Sequence, residues 1–282
     1  MVPNFWTRVA VPACIAALAS VANAQQIRRC ANEAPTMEQL AQAANLSRLD
    51  GLDGLEARSD IPTPIVIPTY VHILASAETV AGGWLSDADI KGQMDVLNAD
   101  FGAHNITFNV LETTRTINNA WSTDGDGTNM RRQLRRGGYD ALNLYFMRYV
   151  SGYLGYCSLP SVRGASNIVG DGCAILASSI PGGSAAPYNE GRTATHEIGH
   201  WLNLFHTFDG GCSCVGDMIH DTPAESRDHY GCPIGLDSCP DRPGLDPIHN
   251  YMAYTDDACM HEFTLGQAFR MRSAWYNLRL DK

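Results

Sequence analysis

The sequence predicts an α+β fold: a twisted sheet backed by two helices, with a cross-linked segment toward the C-terminus. Three observations predict it. Residues 65–150 run strand, helix, strand, strand by their hydrophobic periodicity. A helical segment carrying histidines on one face follows a Gly/Pro loop at 181–191. Residues 209–250 have little periodicity yet hold Cys212, Cys214, Cys232 and Cys239.

In chain order, residues 36–49 suit a short helix, and 51–64, rich in Gly, Asp and Pro, suit a linker. Residues 65–75 are rich in β-branched side chains and read as a buried strand. Residues 86–101 read as a helix: Ser86 caps it, and Ile90, Met94, Leu97 and Phe101 share one face. Residues 106–116 and 141–150 read as strands, and 173–177 as a further short one with an exposed edge. Residues 263–278 read as a C-terminal helix with Met271, Trp275 and Leu278 inward.

The N-terminus sets the expected compartment. Arg8 precedes an apolar run at 9–21 that leads into Ala22-Asn23-Ala24, the pattern of a secretory signal cleaved after Ala24. The run is too short to span a bilayer. The expected organisation is a signal peptide at 1–24, an N-terminal extension or pro-segment at 25–60, and a catalytic domain at 61–282. Of the 9 cysteines, Cys14 leaves with the signal, and the even remainder suits a disulfide framework. Sequons at Asn45 and Asn105 are compatible with export. A net charge of −10 argues against nucleic acid or an anionic membrane as partner. Oligomeric state is not legible.

The chemistry is concentrated in His196-Glu197-Ile198-Gly199-His200, followed by His206. On a helix, His196 and His200 are four apart and point one way. Glu197 is rotated by about 100° and reaches a metal-bound water rather than the metal. His206 joins them only if the helix ends and the chain turns near Asn203. Three imidazoles with one open position describe a catalytic zinc site, with His196, His200 and His206 as ligands and Glu197 as general base.

Downstream, Asn250-Tyr251-Met252-Ala253-Tyr254 extends the pattern. With Thr195 to Phe208, Gly216-Asp217, Asp221-Thr222-Pro223-Ala224 and Gly231-Cys232-Pro233, it resembles the pappalysin-like (cytophagalysin) family of the metzincins, in its secreted fungal form. The match covers most of residues 190–270. It departs at Asn203, usually Gly, and at Ala253, usually Asp. The resemblance implies the metzincin zincin fold: a twisted, mostly parallel sheet backed by two long helices, with a disulfide-rich C-terminal subdomain. It implies that Met252 forms a turn beneath the zinc, that Tyr254 lies beside it as a second catalytic residue, and that protein or peptide substrates are cleaved.

The resemblance also suggests the pairs Cys212–Cys239 and Cys232–Cys259. Cys157 and Cys173 are then natural partners, which leaves Cys30 and Cys214. Two readings of Cys30 stand. Parity pairs it with Cys214; in some relatives a cysteine in this neighbourhood resembles a switch that closes the zinc's open position. The family's usual glycine at position 203 implies a positive φ, which asparagine tolerates. Asp217 and Thr222 resemble a calcium site in some relatives, and equally suit turns held by local hydrogen bonds. The functional expectation is a secreted zinc endopeptidase. Alternatives are a zinc-binding protein without turnover, and a zinc peptidase of another class in which Glu225 replaces His206.

Overall fold

The computed structural model describes residues 28–49, 63–161, 168–213 and 216–282. The expected signal peptide, most of the linker and Cys214 lie outside them.

Six strands form one sheet in the order β1-β5-β6-β4-β2-β3. They are β1 (Arg28–Cys30), β2 (Ile65–Ala75), β3 (Ile106–Ile117), β4 (Leu142–Met147), β5 (Tyr153–Cys157) and β6 (Cys173–Leu176). β3, β2, β4 and β6 are mutually parallel; β5 runs antiparallel to β6, and β1 parallel to β5. The mostly parallel sheet is as expected. β6 is not an edge, however. It lies between β4 and β5, so the free-edge reading of 173–177 is corrected: β5 is the outer strand of the cleft, and β1 covers it.

The helices are α1 (Met37–Leu49), α2 (Asp87–Gly102), α3 (Gly127–Leu134), α4 (Arg192–Trp201) and α5 (Leu265–Ala274), the last widening into a π-helical turn at Trp275–Arg279. α2 begins where Ser86 predicts, because Ser86 Oγ accepts from the Asp89 amide while the Asp89 carboxylate accepts from Ser86 N. Thr264 and Gln267 form the same reciprocal cap on α5.

One core cluster sits between the sheet and the helices. Ile65, Ile67, Val71 and Ile73 of β2 pack with Ile90, Met94, Leu97 and Phe101 of α2 and with Ala194, Ile198 and Trp201 of α4. The opposite sheet face is covered by Trp121, Met130, Val150 and Leu154. α1 lies against the C-terminal helix, with Leu46 packed on Ala274 and Leu278. Burying one leucine in this way contributes about 2 kcal/mol toward holding the N-terminal segment on the domain. Among the described residues, no helix is long and apolar enough to cross a membrane.

Candidate metal centre

α4 places His196, Glu197 and His200 in the interior, all at most 2% exposed. The helix then stops within one residue. Leu204 N donates to Gly199 O at 2.9 Å and Asn203 N to His200 O at 2.9 Å, the paired bonds of a Schellman turn. Asn203 occupies its left-handed position with φ 71°. The positive φ expected there is what the chain adopts. The turn does two things for the site. It presents Leu204 O to His200 Nδ1 at 2.8 Å, and it returns the chain so that His206 Nε2 lies 3.1 Å from His200 Nε2.

His196 Nδ1 is likewise held, at 2.7 Å from Tyr251 O. With both Nδ1 atoms donating to carbonyls, the Nε2 atoms are left as acceptors facing one another. Burial holds the imidazoles of His196 and His200 well below the usual histidine range, and neighbouring histidines add to the effect. Neutral imidazole is the ligating form. Met252 sits directly below: a Cβ on Gly199 would collide with its Sδ, so the glycine inside the motif is what lets the methionine turn approach. Tyr254 Oη lies 3.2 Å from His206 Nε2.

The fourth group is one that cysteine parity assigned elsewhere. Cys30 Sγ lies 3.4 Å from Glu197 Oε2, and Cys30, His196, His200 and His206 offer four ligand atoms within 4.8 Å of one another. Cys30 is a free, buried thiol, so the pairing of Cys30 with Cys214 is overturned. The reason is β1. Its ladder on β5, continued by Ala31 N to Gly155 O at 3.0 Å, carries the thiol into the cleft. The other three pairs, Cys157–Cys173, Cys212–Cys239 and Cys232–Cys259, are present.

Beside Cys30, Arg29 is fully buried. It donates to Asp257 Oδ1 at 3.0 Å and Thr255 O at 3.0 Å, and faces the Tyr188 ring at 5.1 Å. Burial pushes Glu197 up to about 8, against the opposing hydrogen bond from Cys30 and the charge of Arg29. Burial, then the charge of Glu197, pushes the Cys30 thiol up as well. His196 Nε2 and Glu197 Oε1 are buried without a hydrogen-bond partner among the described residues. Three imidazoles and a thiol converging on one point, with a ring nitrogen left unsatisfied, fit a four-coordinate thiophilic cation.

Sequence reasoning missed Arg29 and also Gly155, where a Cβ would lie 2.8 Å from Glu197 Cγ. No local signal marks either, since Arg29 is placed by β1 pairing with β5, and Gly155 by β5 lying against α4 and β6. Glu225 is not brought to this centre: it accepts from Thr207 Oγ1 at 2.6 Å and from His229 Nδ1 at 2.9 Å, so the alternative with Glu225 as ligand is set aside. Asp217 is buried, accepts from Ile219 N at 3.0 Å and is pushed up to about 8 by burial, with Thr222 beside it.

The match to known proteins follows this geometry. The family model Peptidase_M43, described as pregnancy-associated plasma protein-A, matches residues 183–275. An extracellular metalloprotease of Verticillium alfalfae is 58% identical over 269 residues, covering 94% of this chain and 97% of its own. The chain belongs to this peptidase family. Extracellular metalloprotease 1 of Coccidioides posadasii is 50% identical over 228 residues, 80% of this chain and 82% of its own. Mature mirolysin of Tannerella forsythia, solved with a cleaved peptide, superposes with a TM-score of 0.65 at 30% identity over 78% of this chain and 97% of its own. A promirolysin mutant reaches 0.69 at 28% identity over 88% and 94%. This member of the family is therefore a secreted metalloendopeptidase whose substrates are proteins or peptides.

Proposed function

We propose that the metal is zinc, held by His196, His200 and His206, and that residues 25–60 are a pro-segment keeping the enzyme latent by placing Cys30 Sγ at the zinc's fourth position. The observation that carries this reading is the convergence of that thiol with the three imidazoles, while it also covers Glu197. The larger share of this chain matched by promirolysin than by mature mirolysin supports it. Residues 1–24 are then the export signal and 61–282 the catalytic domain.

Bound zinc supplies a Lewis acid and lowers the pKa of its water toward about 7. The chain supplies the rest. With β1 gone, the outer edge of β5 offers Gly152 O and Gly155 O, which now accept from Arg28 N and Ala31 N, to an extended peptide. Glu197, freed of the thiol, accepts the proton of the attacking water on a carboxylate oxygen and delivers it to the leaving amine. The Tyr254 hydroxyl stands where it can donate to the developing oxyanion, a contact worth roughly 2–4 kcal/mol by comparison with other oxyanion donors.

Two variants test this. Glu197→Ala is expected to keep zinc and fold and to lose hydrolysis; near-normal turnover refutes the base assignment. Cys30→Ser full-length protein is expected to cleave casein without processing; a silent, zinc-loaded Cys30→Ser protein refutes the switch. Calcium is the finer reading at Asp217 and Thr222, where a hard cation would take the oxygen of a carboxyl that burial otherwise pushes toward protonation. If EGTA shifts neither melting temperature nor activity with zinc kept saturated, that site is turn structure only.

A further inference from the structure

A second cluster of ligating side chains lies in the disulfide-linked segment, apart from the catalytic centre. Glu225, His229 and Asp246 each present one ligand atom, all within 4.8 Å of one another. His229 Nδ1 is 2.9 Å from Glu225 Oε1 and 3.5 Å from Asp246 Oδ2. Both carboxylate side chains have no solvent exposure, whereas His229 keeps 15%, so the cluster opens to water only along the imidazole.

Each carboxylate is already anchored through its other oxygen. Glu225 Oε2 accepts from Thr207 Oγ1 at 2.6 Å, and Asp246 Oδ1 from Ser238 N at 2.8 Å. The inward oxygens are thus fixed in place. Asp246 Oδ2 is fully buried, has no hydrogen-bond partner among the described residues, and is aimed at the same point as the other two atoms.

We propose that Glu225 Oε1, His229 Nδ1 and Asp246 Oδ2 form a second metal site, which takes a divalent cation of the zinc class in a structural role. Two buried carboxylates and one neutral imidazole balance a divalent charge, whereas an imidazolium alone leaves one negative charge buried. One ring nitrogen with two carboxylate oxygens suits zinc better than calcium, which prefers oxygen alone. The ion would tie three stretches together: Thr207 directly after the ligand His206, the centre of the cross-linked segment, and the approach to Met252, whose carbonyl accepts from Thr207 N at 3.3 Å.

The test uses the full chain, stripped with a chelator and titrated with zinc, with metal counted by elemental analysis after gel filtration. Two equivalents per chain are expected. His229→Gln, Glu225→Gln and Asp246→Asn are each expected to retain one. Cobalt loading identifies which site remains: the centre with Cys30 gives a thiolate-to-cobalt charge-transfer band, and the second site only weak ligand-field bands that the three variants lose. The thiolate band also reports that a variant has folded. A single equivalent in the native chain, with the thiolate band present, overturns the second site and leaves the peptidase reading standing. A second equivalent that survives all three substitutions overturns it as well. Absence of both equivalents counts against both assignments.

Discussion

Replacing Asn203 by valine tests the link between backbone conformation and metal binding. Asn203 sits at φ 71°, in the left-handed position of the turn that ends α4. A β-branched side chain there adds roughly 1–3 kcal/mol of strain. The substitution also removes the acceptor of Gln42 Nε2, a bond of 3.3 Å from α1 worth about 1 kcal/mol. Relief of the strain requires rotating φ, and rotation breaks the bonds of Asn203 N and Leu204 N that return the chain toward His206. The cost therefore divides between folding and metal affinity, at about tenfold in affinity for each 1.4 kcal/mol. Asn203→Gly removes the strain of any side chain and is expected to stay within about 1 kcal/mol of native. Urea denaturation with and without zinc, together with a zinc competition titration, reads both effects. Native-like stability and affinity in Asn203→Val would show that the turn does not position His206.

Three further outcomes follow from the same geometry. Gly155→Ala is expected to lower kcat of the mature enzyme by roughly 10–100-fold and to cost about 1–3 kcal/mol of stability, because the new methyl meets Glu197 Cγ at 2.8 Å and the Ala174 backbone oxygen at 2.9 Å; unchanged kcat contradicts this. Arg29→Ala removes the buried partner of Asp257 and is expected to weaken pro-segment retention by about 3 kcal/mol, read as leakage of activity from unprocessed protein; a fully latent variant contradicts it. Burial lowers His72 from 6.5 to about 4, so the unfolded chain takes up the proton first. Its contribution is intact above about pH 6.5 and is lost as pH falls toward 4, reaching about 3 kcal/mol. His72→Gln should therefore show a flatter loss of stability between pH 7 and 4.5, and an identical slope refutes the assignment.

The parts of this fold legible in the sequence are those whose signals are local. β2 carries its own β-branched pattern, α2 its own serine cap, and His196 and His200 their own helical spacing. The positive φ of Asn203 was legible only through the family resemblance, whose usual glycine at that position implied it, since asparagine tolerates the same conformation. β1 and β5 were not. Each is at most five residues long, β5 contains Gly155, and β1 exists only through pairing with β5 across more than a hundred residues. α3 was hidden by a polar stretch of arginines and glutamine whose inward side, Met130 and Arg131, is short. Of the two readings of Cys30, the pairing with Cys214 failed because parity counts cysteines without regard to burial, and a buried thiol need not have a second sulfur as partner.

The central claim is that the latent enzyme holds zinc with three histidine nitrogens and the Cys30 thiolate. Zinc X-ray absorption on the full chain, carrying His229→Gln so that the catalytic centre alone is loaded, measures this directly. The account predicts one sulfur at about 2.3 Å and three nitrogens at about 2.0–2.1 Å. A first shell of nitrogen and oxygen without sulfur would contradict it.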